Sequence, residues 1–216
     1  MKDFWTLLVI GVTLICFAAC SSDDDDDVAE DTVSASTSTS VETGVDMGLS
    51  VMWSNCNVGA SSPEEAGYYY AWGMTETLST YSSSTCTTYQ IEIDDFSGDE
   101  TYDVARAVMG GSWRLPTVDE MDELIEECEW IYTSVDSIPG YKVIGPSGNS
   151  IFLPICGYYN NSIHMSPDSH GAYWTSTPYP SSTLKYAWNL ALYNSSRYLT
   201  EYALRYHGHT IRAVKD

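Results

Sequence analysis

Residues 110–130 read GGSWRLPTVDEMDELIEECEW and carry the strongest structural signal of the chain. Thr117 and Glu120 have the spacing of a capping box, in which a hydroxyl and a carboxylate bond the first backbone N–H groups of a helix. From Met121 onward, apolar residues recur at i, i+3, i+4 and i+7, which is the spacing of one buried helical stripe. The pattern predicts a helix over residues 118–130.

The residues just before this helix are interpreted as architecture and not as chemistry. The two glycines permit a tight backbone, and Pro116 ends a strand before the helix cap. We expect Trp113 in the core, and we expect Arg114 to pair with a buried carboxylate or with backbone carbonyls. Structural roles are therefore assigned to Trp113, Arg114, Thr117 and Glu120.

Short strands are predicted on both sides of the helix. Residues 141–144 and 150–153 flank a Gly/Pro/Asn turn cluster, which indicates a hairpin. A second helix is predicted near residues 101–109. One clear helix with many short strands and long loops indicates the α+β class. Further strands are predicted at 49–53, 156–159, 172–175, 186–192 and 210–214.

The N-terminal region has the composition of an exported, lipid-anchored protein. Residues 1–19 combine a charged start, an apolar run and small residues before a cleavage site, which predicts a signal peptide. The tripeptide before Cys20 resembles a bacterial lipobox. This resemblance implies cleavage before Cys20 and its acylation, for example by palmitate, with outer-membrane lipid as the partner. An ordinary signal peptide with an incidental cysteine is the alternative.

Residues 20–43 predict a flexible, acidic, Ser/Thr-rich tether, because they bury too little apolar surface to offset ordering. The five aspartates at 23–27 resemble the surface-export signal of lipoproteins in some Gram-negative bacteria, which implies a position facing outside the cell. A solvated spacer on a periplasmic lipoprotein is the alternative. Residues 44–216 then form a single domain that is long enough to bury a full core.

Charge is distributed unevenly along the chain. The net charge of −21 argues against nucleic acid and anionic lipid head groups as partners, since both would be repelled. From residue 171 onward, however, the bases outnumber the acids. Either this segment faces an acidic partner, or the excess is a compositional drift. The bases are Lys185, Arg197, Arg205, Arg212 and Lys215.

Four cysteines remain in the folded part: Cys56, Cys86, Cys128 and Cys156. An even number of cysteines in an exported chain predicts disulfides, and the three pairings stay open. None lies in a C-x-x-C pair, which argues against a zinc or thioredoxin-type site. Cys156 lies in an apolar strand pattern, so a buried thiol is the alternative there.

Six blocks of sequence occur in the order that is found in one family. They are DMGLSVMWSNCNVGA (46–60), YAWG (70–73), GGSWRLPT (110–117), SIFLP (150–154), YWTST (173–177) and GHTIRAV (208–214). Together they resemble the Fibrobacter succinogenes major paralogous domain family over nearly all of residues 45–214. That family is similar to the C-type lectin fold of formylglycine-generating enzymes. The resemblance implies a surface lipoprotein with short twisted antiparallel strands, one or two helices and long loops.

The residues give little support for catalysis, and no catalytic residue is assigned. Formylglycine-generating enzymes work through a paired cysteine site in the C-terminal part of the fold, whereas no cysteine follows Cys156 here. Few carboxylates follow Asp136, which makes the pair that a glycosidase needs hard to assemble. Ser112 lacks the Gly-x-Ser-x-Gly elbow of a serine hydrolase. We therefore expect that the protein is not an enzyme.

Metal binding is also weakly supported. His207 and His209 share one face of a predicted strand, which suits zinc, but two ligands do not make a site. The triplet 188–190, Trp-Asn-Leu, resembles part of the calcium-dependent lectin motif, although Leu190 supplies no oxygen ligand. No cofactor is expected, and a structural calcium ion is left open without a motif that supports it.

Tyrosine is concentrated between residues 172 and 207, together with Asn, Ser, Arg and Lys. This composition is typical of antibody-like binding loops, and Tyr and Arg are common at binding hot spots. In the fold that the resemblance implies, this segment forms the ligand-facing sheet and loops. The alternative is that half of the rings fill the core, as we expect for Trp174 and Trp188. The predicted ligand-binding residues are Tyr179, Tyr186, Tyr193, Asn194, Arg197, Tyr198, Tyr202 and Tyr206.

These expectations define a surface-anchored, non-catalytic lipoprotein that binds a glycan or a protein in recognition or adhesion. One alternative is a hydrolase or a formylglycine-generating-type enzyme that retains the same fold. A further alternative is a structural subunit of a surface assembly or of a pilus tip.

Overall fold

The described chain folds into two helices and ten strands. The structure, a computed structural model, describes residues 44–194 and 196–216. For residues 196 and 198–202 within this range, it describes the backbone alone. The helices are α1 (Val104–Met109), which lies within the predicted second helix, and α2 (Val118–Glu127). The strands are β1 (Met52–Trp53), β2 (Glu129–Val135), β3 (Ile138–Ile144), β4 (Ser150–Pro154), β5 (Tyr158–Asn160), β6 (Ile163–Met165), β7 (His170–Pro178), β8 (Tyr186–Tyr193), β9 (Ser196–Leu204) and β10 (Val214–Lys215).

The strands pair into four small sheets within the described part of the chain. β1 pairs with β10, so the first and last strands lie side by side. β2, β3 and β4 form one three-stranded sheet, β7, β8 and β9 form another, and β5 pairs with β6. All of these pairings are antiparallel. Two helices beside antiparallel sheets make this an α+β protein, as the sequence predicts.

Helix α2 begins as predicted but ends earlier. The Thr117 hydroxyl accepts a hydrogen bond from the Glu120 backbone N–H at 3.3 Å, and Glu120 Oε2 accepts one from the Thr117 N–H at 2.8 Å. The predicted helix over residues 118–130 is wrong at its C-terminal end. Cys128 adopts an extended backbone, and Glu129 already starts β2, because this segment gains a full ladder of pairs with β3.

The strand predictions are confirmed for β3, β4, β7 and β8 and fail in part elsewhere. The hairpin of β3 and β4 is confirmed. The strands predicted at 172–175 and 186–192 lie within the longer β7 and β8, and the one at 156–159 overlaps β5. The strand predicted at 49–53 shortens to β1, and the one predicted at 210–214 shares only Val214 with β10. β2, β6 and β9 were not predicted: the predicted helix covered the start of β2, and polar residues interrupt the apolar pattern of β6 and β9.

The core consists of two large apolar clusters and a smaller one in the described residues. The first contains Trp53 together with Met121 and Leu124 from the predicted stripe of α2. The second contains Trp113 and Trp174, and both were expected in the core. A buried tryptophan removes roughly 200 Å² of surface from water, which is worth about 5 kcal/mol.

The disulfides expected among the four cysteines do not form within the described residues, so that prediction is wrong. Cys56, Cys86, Cys128 and Cys156 are present as thiols. Their surroundings give the reason: Cys128 packs in the first large cluster, and Cys86 packs in the smaller one. Cys156 is buried, as the alternative interpretation expected.

Two of the five C-terminal bases do not contribute to a charged surface. Arg205 and Arg212 each expose only 1% of their surface. Arg212 donates hydrogen bonds to Asn57 Oδ1 at 2.9 Å and to the Phe152 carbonyl at 2.8 Å. Arg205 donates one to the Ile91 carbonyl at 2.8 Å. The excess of C-terminal bases is therefore partly internal, which weakens the case for an acidic partner.

The described residues belong to one compact unit. Within this part of the chain, the helices are too short and too polar to serve as a membrane span. The predicted signal peptide (1–19) and the predicted tether (20–43), including Cys20, lie outside the described residues. What the sequence indicates about them stays a prediction.

Candidate functional site

The eight predicted ligand-binding residues do not gather in one place. Tyr186 begins β8 and Tyr193 ends it. A strand of eight residues places its two ends roughly 23 Å apart. The predicted residues therefore divide between the two ends of the β7–β8–β9 sheet. Tyr198 and Tyr202 belong to β9, and their side chains lie outside the described part of the structure.

One group contributes mainly to packing. Tyr179, Tyr186 and Tyr206 lie near the start of β8 and are half-buried. Tyr179 packs edge-on against Trp188, which is half-buried and not fully in the core, with 5.3 Å between ring centroids. Tyr206 packs against Tyr89 at 5.2 Å. These internal contacts leave less of each ring for a ligand.

The other end of the sheet gathers exposed aromatic and polar side chains. Tyr193 exposes 41% of its surface while its ring stacks on His170 at 4.6 Å, and Asn194 and Arg197 are exposed at the turn between β8 and β9. The Arg197 guanidinium carbon lies 5.1 Å from the centroid of the Trp130 ring, which is the geometry of a cation–π contact. Tyr132 follows on β2 and is 46% exposed. We name this surface the turn face; it consists of Trp130, Tyr132, Tyr193, Asn194 and Arg197.

Strand register holds the turn face in place. Tyr132 lies opposite Tyr141 of β3, and their ring centroids are 5.6 Å apart. Tyr141 also packs against Trp130 at 5.7 Å and donates its hydroxyl hydrogen to the Tyr193 carbonyl at 2.5 Å. Tyr141 thus links the β2–β3–β4 sheet to the β8–β9 turn. A surface built on strands is held more rigidly than one built on loops.

Trp130 and Tyr132 were not predicted as members of this surface, because the predicted helix extended to Trp130 and no strand was predicted for the residues that follow. The stretch EWIYTSV of β2 is rich in aromatic and β-branched residues, which are typical of strands. That local signal would have found both rings.

Three histidines surround the ring of Tyr158. Ring centroids lie 5.1 Å apart for His170, 5.3 Å for His207 and 5.8 Å for His209. His209 also stacks on Trp174 at 4.0 Å. The sequence pointed to His207 and His209, which are 5.9 Å apart, but it did not connect His170 to them.

These imidazoles are held in the neutral form. Burial lowers the pKa of His170, and burial together with the nearby His170 lowers that of His207 to about 4. Burial also lowers the pKa of His209 well below its ordinary value. His170 Nε2, His207 Nε2, His209 Nδ1 and Asn189 Oδ1 are buried without a hydrogen-bond partner. In the described part of the chain, no three His, Cys, Asp or Glu side chains are grouped in a way that could hold a metal ion.

A cavity of about 310 Å³ lies beside Cys156, and its lining includes the carboxylates of Glu64, Glu65 and Asp168. His164 Nε2 lies 2.8 Å from the backbone oxygen of Cys156. Burial raises the pKa of the Cys156 thiol to about 11. The thiol is therefore protonated near neutral pH and is a weak nucleophile.

Comparisons with known proteins identify no relative: no protein-family model, no curated protein and no solved structure matches this chain. The geometry of the described residues is therefore the basis on which a function is proposed.

Proposed function

We propose that this protein is a surface-anchored lipoprotein that recognises a glycan or a protein through the turn face and has no catalytic activity. The observation that carries the proposal is the Arg197 guanidinium over the Trp130 ring, at the same end of the sheet as the exposed Tyr193. Trp, Tyr and Arg are the residues that most often dominate binding energy at interfaces. They meet at one end of the sheet, where the half-buried Trp130 lies against the exposed Arg197, and this favours recognition of a ligand.

Pre-organisation of the turn face supports the same proposal. The Tyr141 hydroxyl holds the Tyr193 carbonyl, and the Trp130 ring restricts the Arg197 side chain. Side chains that are ordered before binding lose less conformational entropy when a ligand arrives. Tyrosine adds large contact area at a small entropy cost.

The proposed fold is C-type lectin-like, with antiparallel strands, two helices and long loops in the described part of the chain. The resembling sequence blocks support this, because several of them meet in space. The block at 208–214 forms backbone bridges to Tyr70, Arg114 and Tyr173, which belong to three of the other blocks. The blocks thus behave as one scaffold, as family-defining segments would.

The proposed location is the outer membrane, with the domain facing outside the cell. Its support is the sequence around Cys20 and the aspartates at 23–27. Two or more acyl chains on Cys20 would give stable anchoring, whereas a single chain would be marginal. The aspartates cannot enter a bilayer and would keep the domain away from it.

The binding proposal is tested with the purified full chain on arrays of glycans and host proteins. The chain is expected to bind at least one ligand, and Arg197→Ala and Tyr193→Ser are each expected to weaken that binding by about tenfold or more. Arg106→Ala is the matched control, since Arg106 is a partly exposed arginine on α1. Binding that Arg197→Ala and Tyr193→Ser leave intact would remove the turn face as the site.

The location is tested on intact cells with added protease. The chain is expected to be cleaved on cells, and replacement of the aspartates at 23–27 by serine is expected to abolish that cleavage. Unchanged cleavage of the serine variant would contradict a surface-export role for these aspartates. Cys20→Ala is expected to release the protein from the membrane fraction.

A hydrolase is the second candidate, and the carboxylates around the 310 Å³ cavity favour it. Glycosidases use a pair of such groups across the scissile bond. Turnover of a polysaccharide by the full chain, lost in Asp168→Asn and retained in Arg197→Ala, would favour the hydrolase over the binding module.

A further inference from the structure

We infer a second binding site, for a neutral carbohydrate, in a cleft lined by tyrosines. The cleft has a volume of about 470 Å³ and is lined in part by Tyr68, Tyr69, Tyr81 and Tyr159. This volume is within the range of small-molecule sites, roughly 300–1,000 Å³. The cleft shares no residue with the turn face, so the inference goes beyond the proposed function.

The inner rings of this tyrosine cleft are fixed by contacts with one another. Tyr159 lies edge-on to Tyr69 at 4.9 Å and packs against Tyr81 at 5.6 Å. Tyr81 donates its hydroxyl hydrogen to the Tyr69 carbonyl at 2.6 Å, and Tyr69 donates its own to the Cys156 carbonyl. Tyr81 exposes only 5% of its surface and Tyr159 stacks on the His164 ring at 4.7 Å, so the inner rings fix the shape of the cleft.

Tyr68 forms the exposed lip of the cleft. It exposes 58% of its surface, although its ring is held against the backbone of Gly59. A Cβ atom at Gly59 would lie 2.3 Å from Tyr68 Cδ2, and Gly59 has a φ of +82°. Only glycine both adopts this backbone and leaves room for the ring. The result is a large aromatic ring that is fixed and still open to solvent.

An aromatic face of this kind suits a sugar ring. The face of an aromatic ring carries partial negative charge and attracts C–H groups, which line one side of many pyranose rings. The lining of the cleft also includes Thr77, Ser79 and Ser162, which carry hydroxyl groups. A hydroxyl both donates and accepts hydrogen bonds, which matches the needs of sugar hydroxyls.

The lining of the cleft decides between a neutral and a charged ligand. Among the described residues, the lining contains no Asp, Glu, Lys, Arg or His, while the chain as a whole has a net charge of −21. Burial raises the pKa of Tyr69 and of Tyr81, so both phenols stay uncharged near neutral pH. A cation would find no carboxylate in the cleft, and an anion would be repelled by the protein. A neutral polyhydroxyl ligand fits both conditions.

The inference is tested by titration calorimetry of the purified full chain with cellohexaose, xylohexaose and mannohexaose, and with hexagalacturonate as the acidic counterpart. At least one neutral oligosaccharide is expected to bind, and Tyr68→Ser is expected to weaken it by about tenfold or more. Ser79→Ala, which keeps every ring, is expected to weaken it several-fold. Hexagalacturonate is expected not to bind.

Val108→Ser is the control, because it removes an exposed apolar side chain from α1, outside both the cleft and the turn face, and is expected to leave oligosaccharide binding unchanged. The inference is overturned if none of the three neutral oligosaccharides binds, or if Tyr68→Ser and Ser79→Ala both bind like the unmodified chain. Equal binding of hexagalacturonate would overturn the neutral class. If no oligosaccharide binds, but a protein binds the unmodified chain and not Tyr68→Ser, the ligand of the cleft is a protein and not a carbohydrate. Whether the turn face binds a ligand is tested separately, by the effect of Arg197→Ala on the binding found with the arrays.

Discussion

Arg114 and Glu120 are joined by two parallel hydrogen bonds, with Nη1 2.9 Å from Oε2 and Nη2 2.7 Å from Oε1. The same Oε2 accepts the backbone N–H of Thr117, so one carboxylate both caps α2 and holds the guanidinium. The backbone of Arg114 bridges to Val214 in β10. The pair therefore ties the start of the helix to the paired first and last strands.

Glu120→Gln should lower the free energy of unfolding by about 2 kcal/mol, because a mostly buried guanidinium loses its bidentate carboxylate and keeps only the exposed Asp216 as a charged partner. Thr117→Ala should lower it by about 1 kcal/mol, since only the hydroxyl half of the cap is lost. Urea denaturation of the full chain near neutral pH measures both. Asp119→Asn, which changes an exposed residue in the same helical turn, is the control and should lower the free energy of unfolding by less than about 1 kcal/mol. A smaller loss for Glu120→Gln than for Thr117→Ala would contradict the double role of the carboxylate.

Arg212→Lys should lower the free energy of unfolding by about 3 kcal/mol, although the charge is kept. The guanidinium of Arg212 donates to Asn57 Oδ1 and to backbone carbonyls in different directions, among them Asn55 at 2.7 Å and Phe152 at 2.8 Å. A lysine ammonium cannot reach them together, so buried acceptors lose their donors. The measurement is urea denaturation, with Arg106→Lys, a change at a partly exposed arginine, as the control. A loss below about 1 kcal/mol for Arg212→Lys would rule out this role of Arg212.

Acid should destabilise the protein through the histidines around Tyr158. In the unfolded chain these histidines titrate near pH 6.5, whereas in the folded protein the pKa of His207 is lowered to about 4. Between these two values the unfolded state binds protons that the folded state does not, so the free energy of unfolding falls as pH falls. His207→Gln should reduce this slope by up to about 1.4 kcal/mol per pH unit. Urea denaturation between about pH 7 and pH 4 measures the slope, and equal slopes for both proteins would show that His207 does not contribute.

The cysteines should react as buried thiols. Iodoacetamide without reductant should leave Cys86, Cys128 and Cys156 unlabelled in the folded chain, because all three are buried. All three should be labelled after denaturation. Peptide mass spectrometry provides the readout, and a disulfide-linked peptide that contains any of them would contradict the thiol assignment.

The start of α2 was predictable because its signals are local. Thr117 and Glu120 are close in sequence, and both halves of their cap can be recognised without knowledge of the rest of the fold. The end of the helix was not predictable in the same way. Cys128 continues the apolar stripe, but the pairing of β2 with β3 competes with the helix for the residues that follow.

The candidate sites were less predictable because they join distant segments. The turn face depends on Tyr141, which packs against Trp130 and bonds the Tyr193 carbonyl across separate sheets. The tyrosine cleft likewise brings Tyr159 against Tyr69. Such contacts follow from strand pairing and packing, and no local pattern in the sequence encodes them.

Ligand capture by intact cells tests the central claim most directly. Once the arrays have identified a ligand, cells that carry the unmodified chain should capture it, and removal of the domain by external protease should abolish the capture. Cells that display the double variant Tyr193→Ser/Arg197→Ala in the same amount on their surface should capture about tenfold less ligand, or less still. Equal capture by the double variant would contradict the claim that this protein recognises its ligand through the turn face.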